Sequence, residues 1–327
     1  MSGTVTVTQY YNIERKYMYK KFELVRNIEE ANAITHAGVF HADEVFATAL
    51  LSMIMEVKLF RTRAVSAQDK APDIIMYDVG GVYDIKINAY DHHQRSFEEK
   101  RDDGIKYSSF GLLWNRYGKD VLLENNCQDA YFEACFSDID NKLVRWIDGR
   151  DNGQLPLSEE LTISTIISGF NPGWDEEGAD SDACFIKAVD FAYTVLSNLI
   201  KSFISKYKAI DIVEDKISKS SNKVLNLEKY VTNWQITVLK SENPKAKELL
   251  YGTYIGMDGE FCIIAIPPSL EETNKQRQPF PKEWAGLSKA ELEEVTRIKG
   301  VRFCHIGRFF MSVDSEETAQ EVFKKIL

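Results

Sequence analysis

The chain has 327 residues, 44% of them hydrophobic and 28% charged, a length and balance that suit two soluble globular domains with a sizeable core. Its formal charge of −10 argues against broad binding to nucleic-acid backbones and, were a polynucleotide the substrate, favours short or single strands over long duplex. Five widely spaced cysteines without a CxxC read as reduced thiols in the cytoplasm rather than a disulfide framework. No apolar run approaches the ~20 residues of a membrane span, and the N-terminus has no signal-peptide pattern.

Residues 1–30, which include a Thr-Val-Thr-Val alternation, read as an N-terminal extension able to add an edge strand. From Asn32 strand and helix alternate. Ala33-Ile34-Thr35 is a short strand, His36-Ala37-Gly38 its loop, and Val45–Met55 a helix apolar on most faces, hence buried. Val57–Phe60, Asp73–Tyr77 and Ile87–Tyr90 read as further strands. The pattern implies an α/β domain over residues 31–205 with a doubly wound, mostly parallel sheet. Helical patterns follow at Tyr107–Tyr117, at Ala130–Trp146, and from Asp182 to about Ser205, where Phe185, Ala188, Ala192, Leu196 and Ile200 recur at helical spacing. Residues 206–225, rich in Lys, Ser and Asp, read as an interdomain linker. Strands at Gln235–Leu239, Leu249–Ile255 and Phe261–Ile266, a Pro-rich loop, a helix near Ser288–Ile298, a strand at Val301–His305 and a closing helix at Glu316–Leu327 make a second, smaller α+β domain, residues 226–327.

Open α/β sheets bind ligands beyond the carboxyl ends of their strands. His36, Asp78 and Asp91 each follow a predicted strand end. Four of the five histidines fall in two short acidic stretches, His36-x₄-His41-x-Asp43-Glu44 and Asp91-His92-His93. Imidazole and carboxylate together are the ligands of a hard-to-borderline divalent metal. Glu44 also suits the dipole of the helix it opens. Asp78, before Gly80-Gly81, is either a turn residue or a carboxylate placed to bridge two metals. Neighbours on an extended segment point opposite ways. His92 is therefore expected on the metal, Asp91 behind it holding an imidazole tautomer, and His93 toward substrate as general acid or phosphate ligand. The set reads as a two-metal phosphoesterase. HExxH is absent, which argues against a metalloprotease.

The motifs also carry a resemblance. His36-Ala-Gly-Val-Phe-His-Ala-Asp-Glu44, Asp78-Val-Gly-Gly-Val-Tyr-Asp84 and Tyr90-Asp-His-His-Gln-Arg-Ser-Phe97 resemble the Myg-type (melanocyte-proliferating-gene) exonuclease family, a branch of the DHH phosphoesterase superfamily. So do Ser108-Ser-Phe-Gly-Leu112, Asp148-x₂-Asp151-Asn152-Gly153, Phe170-Asn-Pro-x-Trp174, Arg277-Gln-Pro-Phe-Pro281 and Phe303-Cys-His305-Ile-Gly307. The resemblance covers roughly residues 32 to 327. It implies a DHH-like fold and phosphodiester hydrolysis, with 3′→5′ exonuclease activity on RNA. It further implies two ions of manganese, or alternatively magnesium, held by His36, His41, Asp43, Asp78 and His92, with either Asp151 or Asp148 as the last carboxylate. His41 stands where the wider superfamily usually has Asp, and Ala37 where the branch often has Asn.

Arg277 is either a phosphate grip or a solvated loop residue. His305, with Gly307 and Arg308, is either a second anchor or a strand histidine satisfied by backbone. The expected partner is single-stranded RNA or a short oligonucleotide or nucleotide, with no membrane partner and a homodimer left open. The alternatives are a phosphatase acting on a nucleotide, dinucleotide or pyrophosphate, and a catalytically silent, metal-stabilised interaction protein.

Overall fold

The computed structural model describes residues 22–66, 70–156, 160–220, 222–256 and 258–327. The Thr-Val-Thr-Val stretch lies outside them. The chain divides into two compact units at Ile204/Ser205, both α/β in content.

The first unit is built on a six-stranded sheet. Its strands are β1 (Phe22–Leu24), β2 (Ala33–Thr35), β3 (Val57–Arg61), β4 (Ile75–Tyr77), β5 (Tyr83–Asp84) and β6 (Ala89–Tyr90), in the order β1-β3-β2-β4-β6-β5. Every pairing is parallel except that of β5 with β6. The central strands are fully buried, Ala33-Ile34-Thr35 and Ile75-Met76-Tyr77, as their unbroken apolar character requires of parallel strands covered on both faces. The edge strand expected of the N-terminal extension is β1, beside β3. Helix α1 (Ala42–Ile54) follows β2 and is buried from Ala42 to Met53. It packs on α2 (Ser109–Glu124), with Phe46 and Phe110 in ring contact at 5.4 Å.

The third helical stretch is longer than the sequence suggested. Helix α3 (Phe132–Ile139) runs through a π turn at Asp140–Val144 into α4 (Arg145–Asp151), so Asp148 and Asp151, past the end of the helical pattern read from sequence, are helical. A short helix, α5 (Ile163–Ser168), precedes α6 (Ser181–Lys219). Residues 206–219, expected in the linker, are thus helical. By length and composition α6 is also apolar enough to cross a membrane, which Lys187 and Asp190 hid from the reading of contiguous apolar runs. In the first unit its stripe of Phe185, Ala188, Ala192, Leu196 and Ile200 is completely buried, as a core helix requires.

The second unit has a five-stranded sheet of order β10-β11-β9-β8-β7: β7 (Val224–Lys229), β8 (Tyr251–Ile255), β9 (Phe261–Ala265), β10 (Val301–Cys304) and β11 (Phe310–Val313). Only β7–β8 is parallel. One core cluster joins Tyr251, Phe280, Leu292 and Val322; another joins Ala209, Val213 and Ile217 to Leu225, Trp234 and Val238. Gln235–Leu239, expected as a strand, lies within α7 (Trp234–Lys240). Its Trp234 ring covers Gly252, where an added Cβ would come within 2.3 Å of the indole. Helices α8 (Pro244–Glu248), α9 (Lys289–Thr296) and α10 (Glu316–Ile326) complete the unit. Strands β7 and β11 add to those read from sequence.

Gly111, in the first turn of α2, donates its backbone N–H to Asp148 Oδ1 at 3.0 Å. A Cβ there would lie 2.0 Å from Asp148 Oδ2 and 2.8 Å from the Tyr107 ring. Gly111→Ala is expected to lower unfolding stability by at least the roughly 1–3 kcal/mol usual for overpacking. An unchanged denaturant midpoint would show that α2 and α4 separate freely.

Candidate metal centre

Three segments converge at the carboxyl edge of the first sheet. His36 leaves β2, Asp78 leaves β4, and Asp91-His92-His93 leaves β6. Helix α1 brings His41, Asp43 and Glu44, and the end of α4 brings Asp151. Their donor atoms form three overlapping groups, each within 4.8 Å: His36, His41, Glu44 and Asp78; Asp78, His92 and His93; and His41, Asp43 and Asp151.

Asp78 is shared by two groups, and its backbone explains how. It sits at φ 56, a left-handed conformation that turns the chain sharply off β4 and that Asp tolerates better than most residues. Gly80 and Gly81 follow, also at positive φ. The Asp78 carboxylate is buried, with Oδ2 3.2 Å from His36 Nε2 and Oδ1 3.4 Å from His92 Nε2.

The imidazoles are oriented from behind. Asn152 gives its amide N–H groups to the carbonyls of Lys106 and Asp148, so its Oδ1, 3.3 Å from His92 Nδ1, is an acceptor. That places the His92 proton on Nδ1 and leaves the Nε2 lone pair among Asp78, Asp151 (3.3 Å) and Asp43 (3.7 Å). His36 Nδ1 is 3.3 Å from the Ala37 carbonyl, and its Nε2 lies 2.9 Å from Glu44. Asp91 accepts from Gly81 N–H (2.6 Å), His93 N–H (3.1 Å) and His93 Nδ1 (2.8 Å). The exposed His93 ring is thereby fixed with Nε2 free of Asp91.

The donor set fits a divalent cation. Among the described residues Asp43 Oδ1 and Oδ2, Asp78 Oδ1 and His92 Nε2 are buried and have no hydrogen-bond partner. These are acceptors facing acceptors, which a cation reconciles and a proton shared among them does not. The electrostatics agree. Burial, then repulsion from Asp151, Asp78 and Glu44, holds the Asp43 carboxyl well above its usual range. Burial opposes charge on His36, but hydrogen bonds to Asp78 and Glu44 outweigh it and push the imidazole up to about 10. Burial also works against the Asp78 carboxylate, yet the His36 and His92 imidazoles close beside it hold it below the usual range.

Asp148, the alternative to Asp151, is placed otherwise. It is completely buried, takes Ser108 Oγ at 2.6 Å and Gly111 N–H at 3.0 Å, and pairs with Arg101 at 2.7 Å. Its oxygens are committed to holding α2 against α4. Arg277 spends Nη1 on the carbonyls of Ala246 and Leu249, at 2.7 Å each, fastening the end of α8. His305 Nδ1 accepts from Gly307 N–H at 2.9 Å and its ring lies 4.4 Å from Phe309, while Arg308, at φ 57, gives Nη1 to the Phe280 carbonyl. These four residues belong to the second unit.

Sequence reading left several participants unassigned. Glu44 is fully buried, accepts the His41 N–H at 2.9 Å and faces His36; its position at the start of a helix was the available signal. Arg61 and Arg63 hold the His36 loop by its carbonyls: Arg61 binds those of His36 and Gly38, and Arg63 that of Ala37. Asn171 binds both the N–H and the C=O of Phe40, directly before His41.

An α/β unit thus collects His, Asp and Glu at one sheet edge, in groups that could hold metal ions. The chain belongs to the MYG1 exonuclease family, described as "Uncharacterised protein family (UPF0160)", whose model matches residues 32–327. It is 33% identical to the MYG1 protein of Chlamydia trachomatis, over 90% of this chain and 95% of that one. It is 28% identical to the MYG1 protein of Saccharomyces cerevisiae (90% and 94%), and 26% identical to the MYG1 exonuclease of Mus musculus (90% and 84%). No solved structure matches it.

Because Asp43 holds its proton more tightly folded than unfolded, the metal-free protein loses stability as pH rises from the ordinary carboxylate value (~4) toward the higher folded value. Asp43→Asn removes that dependence. The metal-free variant should therefore melt above wild type at pH 7 and show a flatter profile below it. Manganese at a hundredfold excess over Kd should add about 2.7 kcal/mol to wild type and far less to the variant. Equal stabilisation of both would remove Asp43 from the donor set.

Proposed function

We propose that this chain is a divalent-metal-dependent phosphoesterase of the DHH type, acting as a 3′→5′ exonuclease on RNA or short single-stranded oligonucleotides. The observation that carries this reading is the gathering of buried, unpartnered acceptors around His92 Nε2, which lies 3.4 Å from Asp78 Oδ1 and 3.7 Å from Asp43 Oδ2. The parallel pairings of β1, β3, β2, β4 and β6 support a doubly wound DHH-like domain. The name of the mouse relative, an exonuclease, supports the reaction class.

In this reading His36, His41, Asp43, Asp78, His92 and Asp151 would hold two manganese or magnesium ions, with Glu44 beside His36 and Asp78 within reach of both His36 and His92. When bound, the ions supply an activated water and charge stabilisation for an in-line displacement. The remaining work falls to the chain. His93, whose charged form is favoured by its bond to Asp91 against the effect of burial, presents Nε2 to give a proton to the leaving oxygen. Asp91 fixes that ring, Asn152 keeps the His92 lone pair forward, and Arg61, Arg63 and Asn171 hold the strand-end loop rigid. A second reading, hydrolysis of a nucleotide or dinucleotide, is favoured by the −10 charge, which discourages long polyanions.

The test is manganese-dependent cleavage of an end-labelled single-stranded RNA, with a dinucleotide alongside. Asp78→Asn and His92→Ala should each lose roughly three or more orders of magnitude in kcat/KM while staying folded, the scale at which removing an integral catalytic group acts. Stepwise shortening supports the exonuclease; cleavage of the dinucleotide alone selects the second reading. Near-normal turnover by folded variants, or metal binding without cleavage by wild type, overturns the proposal.

A further inference from the structure

The second unit holds a cavity of about 660 Å³ that no residue of the metal centre lines, well inside the size range of small-molecule sites. It lies on one face of the five-stranded sheet. Helix α10 packs on β9 and β11 of that face, the end of α6 closes the other side, and β7 and β8 supply floor between them. The floor is apolar at Val224, Phe261, Ala319 and Phe323. Thr253 interrupts it. This residue is 2% exposed, yet its hydroxyl has no hydrogen-bond partner among the described residues. An unsatisfied hydroxyl in a buried sheet face is costly, and Val would fill the position without that cost. Asn226, its neighbour in register on β7, is by contrast engaged. Its Oδ1 accepts the Glu228 N–H at 2.9 Å, and its Nδ2 lies 3.4 Å from Glu316.

The rim is positive in a chain that is acidic as a whole. Lys216, Lys219 and Lys324 line the cavity against one acid, Glu316. Lys216 and Lys219 pair with Glu228 and Asp215, exposed acids outside the lining, and such pairs are worth little in water. The Lys324 ammonium and the Gln320 amide, one turn apart on α10, have no partner among the described residues.

These groups select a class of ligand. Three ammonium groups at one rim suit a dianion. Phenyl rings suit a flat apolar body. Thr253 and Gln320 require that body to carry hydrogen-bonding atoms at its edge, which an acyl chain lacks. We infer that this cavity binds a nucleoside monophosphate, with the phosphate at the lysine rim and the base on the phenyl floor, one edge toward Thr253. The site is separate from the metal centre and stands whether or not the phosphoesterase reading does.

Calorimetry on the manganese-loaded full chain tests this with adenosine 5′-monophosphate, adenosine, ribose 5-phosphate and inorganic phosphate as probes. His92→Ala, measured beside wild type, separates this site from any nucleotide held at the metal centre, and should keep a nucleotide site of wild-type affinity. Adenosine and ribose 5-phosphate should each bind at least about tenfold more weakly than the monophosphate. The first lacks the charge and the second the stacking base. In the His92→Ala background, Lys324→Ala should weaken the monophosphate about tenfold and leave adenosine nearly unchanged. Thr253→Val, which keeps the branched shape, should weaken both by a few-fold. Lys324 is exposed, so its variant guards against a folding defect in the buried one. Lysine and threonine variants that both bind like their parent would overturn the assignment. So would a wild type that binds no monophosphate, or a His92 variant that loses it, which would place the nucleotide at the metal centre. Inorganic phosphate binding as tightly as the monophosphate would also overturn it, by showing an adventitious anion only.

Discussion

The first unit is organised around an excess of buried acceptors. Asp43 and Asp78 are 1% and 4% exposed, and Glu44 is fully buried, while only the imidazoles of His36 and His92 face these acids, and Asp43 is left without a hydrogen-bond partner among the described residues. An uncompensated buried carboxylate is among the costliest features a fold can carry. The surrounding structure concentrates that cost instead of relieving it. Arg61 and Arg63 stand close to the cluster, yet they bind carbonyls of the His36 loop and, for Arg61, Asp182 on α6 at 2.6 Å. Available positive charge thus fixes the loop and leaves the acids unneutralised. A fold that wanted only stability would pair Arg61 with Asp43.

The parallel sheet makes this concentration reachable. Strands β2, β4 and β6 run side by side in one direction, so their carboxyl ends bring residues 36, 78 and 91–93 together without long-range threading. The left-handed turn at Asp78 re-aims one side chain between two groups. The π turn at Asp140–Val144 carries Asp140 and the following α4. Arg101 grips Asp140 at 2.6 Å and Asp148 at 2.7 Å, pinning the irregular helix from outside while Asp151, three residues on, is left to the cluster. One extra residue in a helical turn is a recurrent means of shifting a functional side chain.

What could be read from sequence was local. The clustered histidines, the apolar strands before them and the all-round apolar α1 are short-range patterns, and the structure places them at one edge. What could not be read depends on distant partners. Asn152 orients His92 from 60 residues away, and Asn171 clamps Phe40 across 131. Asp148 and Asp151 are alike in sequence; only Arg101, Ser108 and Gly111 separate their roles. Gln235–Leu239 has the β-branched residues of a strand, but Asn233 in the left-handed conformation and Trp234 packed over Gly252 favour a helix. In residues 206–219 dense Lys, Ser and Asp masked the stripe of Ala209, Val213 and Ile217 at four-residue spacing, which is buried. Arg277 read from sequence as either a phosphate grip or a solvated loop residue, and neither reading could foresee its carbonyl partners 28 and 31 residues earlier.

The charge balance has a consequence for the order of binding. The chain is acidic as a whole, and its donor cluster adds carboxylates at the point where, on the proposed reading, a phosphate must arrive. An anion approaching the metal-free cluster meets repulsion from the acids gathered there, Asp78 and Asp151 among them, at short range, where solvent screens little. A bound divalent ion inverts the sign of that field. Metal and substrate affinities are then linked, and by reciprocity each strengthens the other. The acids that make the metal-free fold costly are the same ones that keep a phosphate out until the cation is in place, so the cost and the selectivity have one source.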